Sequence, residues 1–206
     1  MNLRGTITVA GKSITRRLPN NGWRRGAVNR RAAHPLRLAQ KDAMGLGGNM
    51  SQKINLATAP RADGTLYPAP YDEPCRARRR IKLGDATGLT QFGVNFCTLP
   101  PGAWSSQRHW HTTTDELIYV VSGEVVLVTD EGEDTLRAGD GAGFKAGDRN
   151  GHHFQNRSAS DAVILEIGTR VKGDEAFYPD IDLKTVPGQG YAHRDGTPYP
   201  NEKRRS

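Results

Sequence analysis

Between Gln91 and Ile167 the chain alternates short apolar runs with turn-forming residues and never settles into a helical period. Gln91–Leu99 is apolar and aromatic and is stopped by Pro100-Pro101-Gly102. Leu117–Val121 leads through Ser122-Gly123 into Glu124–Thr129, and the acidic stretch Asp130–Asp134 reads as a hairpin loop before the short strand Thr135–Arg137. Ala138–Asp140 turns the chain toward Phe144, His152–Arg157 follows, and Ala162–Ile167 closes the series after a turn at Ser158–Asp161. About eight short strands with turns between them point to an all-β jelly roll or barrel.

The residues able to do chemistry lie on these strands. Side chains alternate across a strand, so His109 and His111 share a face and can close on a single ion. Thr112–Asp115 is a polar turn, and Glu116 enters the next strand at its end, within reach of an ion held by the preceding one. His152 opens a further run with Phe154 and Asn156 on its face, while His153 faces the other way. Three neutral imidazoles and a carboxylate suit one divalent transition metal ion: iron, manganese, zinc, nickel, cobalt or copper.

The spacing of these residues resembles the two motifs of the cupin superfamily, G-x5-HxH-x3,4-E-x6-G and G-x5-PxG-x2-H-x3-N. The chain matches HxH at His109 and His111, Glu116 after four residues, Gly123 after six more, Gly139 ahead of Lys145-Ala146-Gly147, and His152-x3-Asn156. It departs in a six-residue spacer after Gly102, in Lys145 for proline, and in four residues rather than two between Gly147 and His152. The resemblance spans roughly the middle half of the chain. It implies a single double-stranded β-helix, the jelly-roll cupin barrel, with extended N- and C-terminal arms and with His109, His111, Glu116 and His152 as metal ligands.

Outside the motifs the chain divides by composition. Residues 1–49 carry ten Lys or Arg and one acid, Asp42, whereas residues 50–206 carry 19 basic and 21 acidic groups, so the overall +7 belongs to the leader. Three readings fit 1–49: a basic arm for nucleic acid or acidic lipid, a targeting leader, or a disordered or artefactual extension with translation opening at Met50. The last is preferred, and nucleic acid is not an expected partner. Residues 50–206 form the cupin domain, as an N-terminal arm (50–86), a core barrel (87–172) and a C-terminal arm (173–206). Within the first arm, Arg76, Arg78, Arg79, Arg80 and Lys82 read either as a positive rim for an anionic substrate or as a charged edge strand that blocks pairing. Cys75 and Cys97 read as reduced thiols of a cytoplasmic protein, with one disulfide as the alternative. No apolar run approaches membrane-spanning length.

For the pocket, Gln107 shares the face of His109 and is a candidate for touching substrate or a metal-bound water, or for a satisfied amide at the rim. Glu116 and Gln107 are the candidate catalytic residues; Gln107, Phe144 and Phe154 are the candidate substrate contacts, with Trp104 and Phe92 as further apolar walls. Arg108 and Trp110 face away and read as packing or dimer contacts. By resemblance the protein is a metal-dependent isomerase or dioxygenase acting on a small polar molecule such as a sugar phosphate or carboxylate, and a homodimer. The alternative is a non-catalytic sugar-binding barrel with a structural or sensing metal.

Overall fold

The computed structural model describes residues 53–200 and the backbone of two short strands ahead of them, β1 (Thr6–Val9) and β2 (Lys12–Thr15). Apart from those two strands, the leader readings fall on residues outside the described part. The N-terminal arm supplies β3 (Arg61–Asp63) and β4 (Arg79–Lys82), followed by a single helical turn, α1 (Leu83–Ala86). The barrel comprises β5 (Phe92–Leu99), β6 (Trp110–His111), β7 (Glu116–Ser122), β8 (Glu124–Thr129), β9 (Gly132–Arg137), β10 (Gly141–Phe144), β11 (His153–Gln155) and β12 (Ala162–Thr169). The C-terminal arm adds β13 (Ala176–Tyr178), β14 (Leu183–Val186) and β15 (Gly190–Ala192).

One sheet runs β2-β1-β10-β7-β12-β5-β4-β3, a second β11-β8-β9 and a third β15-β14-β13-β6. The strand alternation read from the sequence decides what lies between them. On β7, Ile118 and Val120 are buried while Leu117, Tyr119 and Val121 are exposed. The buried residues join Cys97 and Leu99 of β5, Val125 and Leu127 of β8, Phe154 of β11 and Ile164 of β12 in one cluster that binds the first two sheets face to face. A second cluster, Tyr67, Cys75, Ala176, Tyr178 and Leu183, is made by the two arms packing on each other. Both cysteines are free and buried, one in each cluster.

Gly123 fixes the β7–β8 turn for two reasons. Its φ of 76° is a left-handed conformation, and a Cβ there would stand 2.9 Å from both Ala162 Cα and Asp161 O. The acidic hairpin is tighter than its composition suggested: Thr129 pairs with Gly132, so only Asp130 and Glu131 remain in the turn, and Glu133 and Asp134 belong to β9. The C-terminal arm pairs with its own chain, β13 lying antiparallel to β6 with Ala176 opposite His111. Likewise β4 is not an edge strand, because β3 covers it.

Candidate metal centre

The site is built where β6, β7 and β11 converge. His109 forms an isolated antiparallel bridge with His152, His109 N donating to His152 O at 3.1 Å and His152 N to His109 O at 2.8 Å. Opposed residues on neighbouring strands carry their side chains side by side, and the two imidazole rings are 5.0 Å apart. His111, two residues on, brings its ring to 4.9 Å from that of His109. Trp110 between them stacks on Phe177 at 4.9 Å. The turn that delivers Glu116 is pinned by Asp115, whose carboxylate accepts from Ala146 N at 2.8 Å and whose amide donates to Thr169 Oγ1 at 3.0 Å.

Glu116 Oε2 then lies 3.0 Å from His152 Nε2, 3.7 Å from His111 Nε2 and 3.9 Å from His109 Nε2. His109, His111 and Glu116 each offer a ligand atom within 4.8 Å of the others. Adjacent ligand atoms on one ion with bonds of about 2.1 Å stand roughly 3 to 3.5 Å apart, so small side-chain adjustments suffice to close the set. The tautomers agree. His109 Nδ1 donates to Gln107 O at 2.9 Å and His111 Nδ1 to Asp174 Oδ2 at 2.5 Å, which leaves both Nε2 lone pairs facing Glu116. His152 differs, because its Nδ1 is buried without a partner. Its ring is held instead by Phe144, stacked at 3.5 Å with the ring planes nearly parallel.

Charge follows from the packing. Burial, then the neighbouring His152, push His109 down to about 3. Burial works against the Glu116 charge, but the His152 hydrogen bond and the surrounding imidazoles hold its carboxyl down to about 2. At neutral pH the cluster presents an anionic carboxylate and a neutral His109, the protonation state a divalent ion needs.

Two cavities meet at this group. One, of about 930 Å³, is walled by Phe92, Trp110, Leu127 and Phe144 and lipped by Glu131, Glu133 and Asp134. The other, of about 780 Å³, is lined by Arg78, Arg80, Lys82, Asn95, Glu166 and Arg170, with Tyr67, Tyr191 and Phe154. His111, Glu116, His152 and Gly168 border both.

Several sequence-read positions change meaning here. Gln107 lines neither cavity: it is buried, and its amide nitrogen donates to Tyr71 O at 2.6 Å, so the satisfied-amide reading holds. Its backbone carbonyl is what serves the centre, through His109. Trp104 packs against the arm cluster and on His153 rather than walling a cavity. Arg108 is spent on Asp130 and Asp180 of its own chain. The basic run splits by strand alternation: Arg79 faces out to Asp161, whereas Arg80 and Lys82 line the cavity. Asp174 escaped the sequence reading. It lies in the C-terminal arm, where nothing local marks it, yet one carboxylate oxygen takes His111 and the other accepts from Thr113 N at 2.8 Å and Thr114 N at 3.2 Å.

A model of the cupin domain matches residues 95–168. A solved structure named as a sugar phosphate isomerase from a cupin superfamily, from Silicibacter pomeroyi DSS-3, is 42% identical, with a TM-score of 0.68 over 72% of this chain and 97% of that one. The chain belongs to the cupin superfamily. A second solved structure, from Acidithiobacillus ferrooxidans and provisionally named a sugar phosphate isomerase, is 27% identical, with a TM-score of 0.55 over 61% of this chain and 82% of that one. No curated protein matches the chain. Among the described residues of this cupin, no helix is long and apolar enough to cross a membrane.

Proposed function

We propose that this cupin is a metal-dependent enzyme that isomerises a small polar hydroxy-carbonyl compound, with a sugar phosphate as the leading substrate class and a carboxylate substrate or an oxygenation as the alternative. The observation that carries the reading is the approach of three imidazole Nε2 atoms to one Glu116 oxygen, at 3.0 to 3.9 Å, on the wall of two cavities. The names of the two neighbours support the substrate class.

In this reading His109, His111, Glu116 and His152 hold one divalent transition metal ion. The ion would supply Lewis acidity toward a substrate carbonyl. The chain supplies the rest. Gln107 O and Asp174 fix two imidazoles, Phe144 covers His152, and Arg80 holds the Glu166 carboxylate in place on the cavity wall through two contacts of 2.6 and 2.7 Å.

The deciding experiment is elemental analysis of protein purified without added metal, followed by an aldose–ketose assay over a sugar phosphate panel with that ion. About one ion per chain and a turnover that vanishes in Glu116→Ala, with the circular dichroism spectrum kept, are expected. A bound ion without turnover, whose loss only lowers the melting temperature, would replace the enzyme with a binding barrel.

The protein is further proposed to be a cytoplasmic homodimer. Buried free thiols support a reducing compartment. The outer face of β7 supports self-association, since Leu117, Tyr119 and Val121 are 49%, 43% and 42% exposed in one line. Gly141 and Gly143, opposite Tyr119 and Leu117 on β10, leave that surface flat.

A further inference from the structure

The residue just ahead of β4, Arg78, puts a cation on the cavity wall that has no ion pair among the described residues. Arg78 is 7% exposed. Its Nε donates to Gly64 O at 2.8 Å and its Nη1 to Ser105 O, both backbone carbonyls, and it forms no ion pair among the described residues. Among the described residues its Nη2 has no hydrogen-bond partner, and Arg78 lines the cavity. A buried guanidinium with no carboxylate is costly, and the cost is relieved by an anion arriving from outside the chain.

The neighbouring charges do not supply that anion. Arg80 and Glu166 satisfy each other. Lys82 and Arg170 share one carboxylate, Asp85. Asp63, also on this wall, is exposed and pairs with none of these cations. Among the described residues Arg78 is thus the cation of this wall without a carboxylate partner, while Lys82 and Arg170 share one. Arg78 lies 5.8 Å from the Tyr67 ring, Tyr67 is 5.7 Å from Tyr178, and Tyr178 stacks on His109 at 5.6 Å; the cation and the imidazole–carboxylate cluster line one cavity.

We propose that Arg78 is the anchor of a phosphate-monoester subsite, its Nη2 donating to the phosphoryl oxygens while Lys82 and Arg170 supply the field. This rests on the cavity being the substrate pocket, and it does not require that the protein turn substrate over.

The test is titration calorimetry of inorganic phosphate, with acetate as comparison, at matched chloride, into protein stripped of metal by chelator. Wild type is expected to bind phosphate at least tenfold more tightly than acetate. Arg78→Gln and Arg78→Lys should weaken phosphate about tenfold or more, because a lysine does not reproduce the guanidinium fork. Arg79→Gln, at the next residue, which faces outward to Asp161, should change nothing. Absence of phosphate binding to stripped wild type, equal binding in Arg78→Gln, or acetate matching phosphate would each overturn the assignment. If Arg78→Gln does not fold, Arg78→Lys and Lys82→Gln decide: each should lose at least threefold, and unchanged affinity in both overturns it. Phosphate binding that survives while no metal or turnover is found would sink the enzyme reading and leave the subsite standing.

Discussion

Asp174 Oδ2 stands 2.5 Å from His111 Nδ1, joining the C-terminal arm to the centre of the barrel. A carboxylate behind a ligand imidazole fixes its tautomer and raises its basicity. Asp174→Asn should lower metal affinity about 10- to 100-fold with the fold kept, read by competition against a chromogenic chelator. Unchanged affinity would make Asp174 a clasp for the Thr113–Thr114 turn alone.

Acid should destabilise the metal-free protein well above the carboxylate range. Burial pushes His109 down to about 3 and His153 down to about 4 from an ordinary 6.5. The unfolded chain therefore takes up protons near 6.5 that the fold refuses, so stability is complete above that pH and falls as pH drops toward 4 and then 3. Glu116, held at about 2 against an ordinary 4.5, adds a loss of the same sign as pH falls from 4.5 to 2. Melting temperatures of chelator-treated protein from pH 7 to 4 should decline steadily; a flat profile contradicts the burial of these imidazoles.

Gly123→Ala should cost about 2 to 4 kcal/mol in urea unfolding, because it combines a left-handed backbone with a clash against Ala162 Cα and Asp161 O. Gly132 is also at positive φ, but a Cβ added there would meet nothing within 4 Å, so Gly132→Ala should cost about 1 kcal/mol or slightly more. Equal costs would mean that the turn conformation alone matters.

Tyr119→Lys places a charge in the middle of the exposed apolar line on β7. Sedimentation velocity should report a dimer for the wild type and a monomer for the variant, with the circular dichroism spectrum unchanged. A monomeric wild type removes the proposal of self-association.

The barrel and its candidate ligands were legible because each rests on short-range regularity. A period of two puts His109 and His111 on one face, and a polar turn of fixed length delivers Glu116. What was hidden depends on contacts between distant segments. Nothing near Asp174 announces that β13 will pair with β6, since strand pairing is not encoded in either strand's own pattern. Gln107 was placed on the ligand face by alternation, but the proximity of Tyr71 O in the other arm decided what its amide does. The basic run of 76–82 looked like one patch; its division into outward Arg79 and inward Arg80 and Lys82 required knowing that β3 and β5 flank β4.

The pairing of β13 with β6 also sets an order of events at the ribosome. A nascent chain that has emerged only as far as Thr169 can already close β5, β7 and β12 upon one another, yet His111 still lacks the carboxylate behind it. On the proposed function, a chain interrupted after β12 would lack the carboxylate behind His111 and should hold a divalent ion more weakly than the full chain.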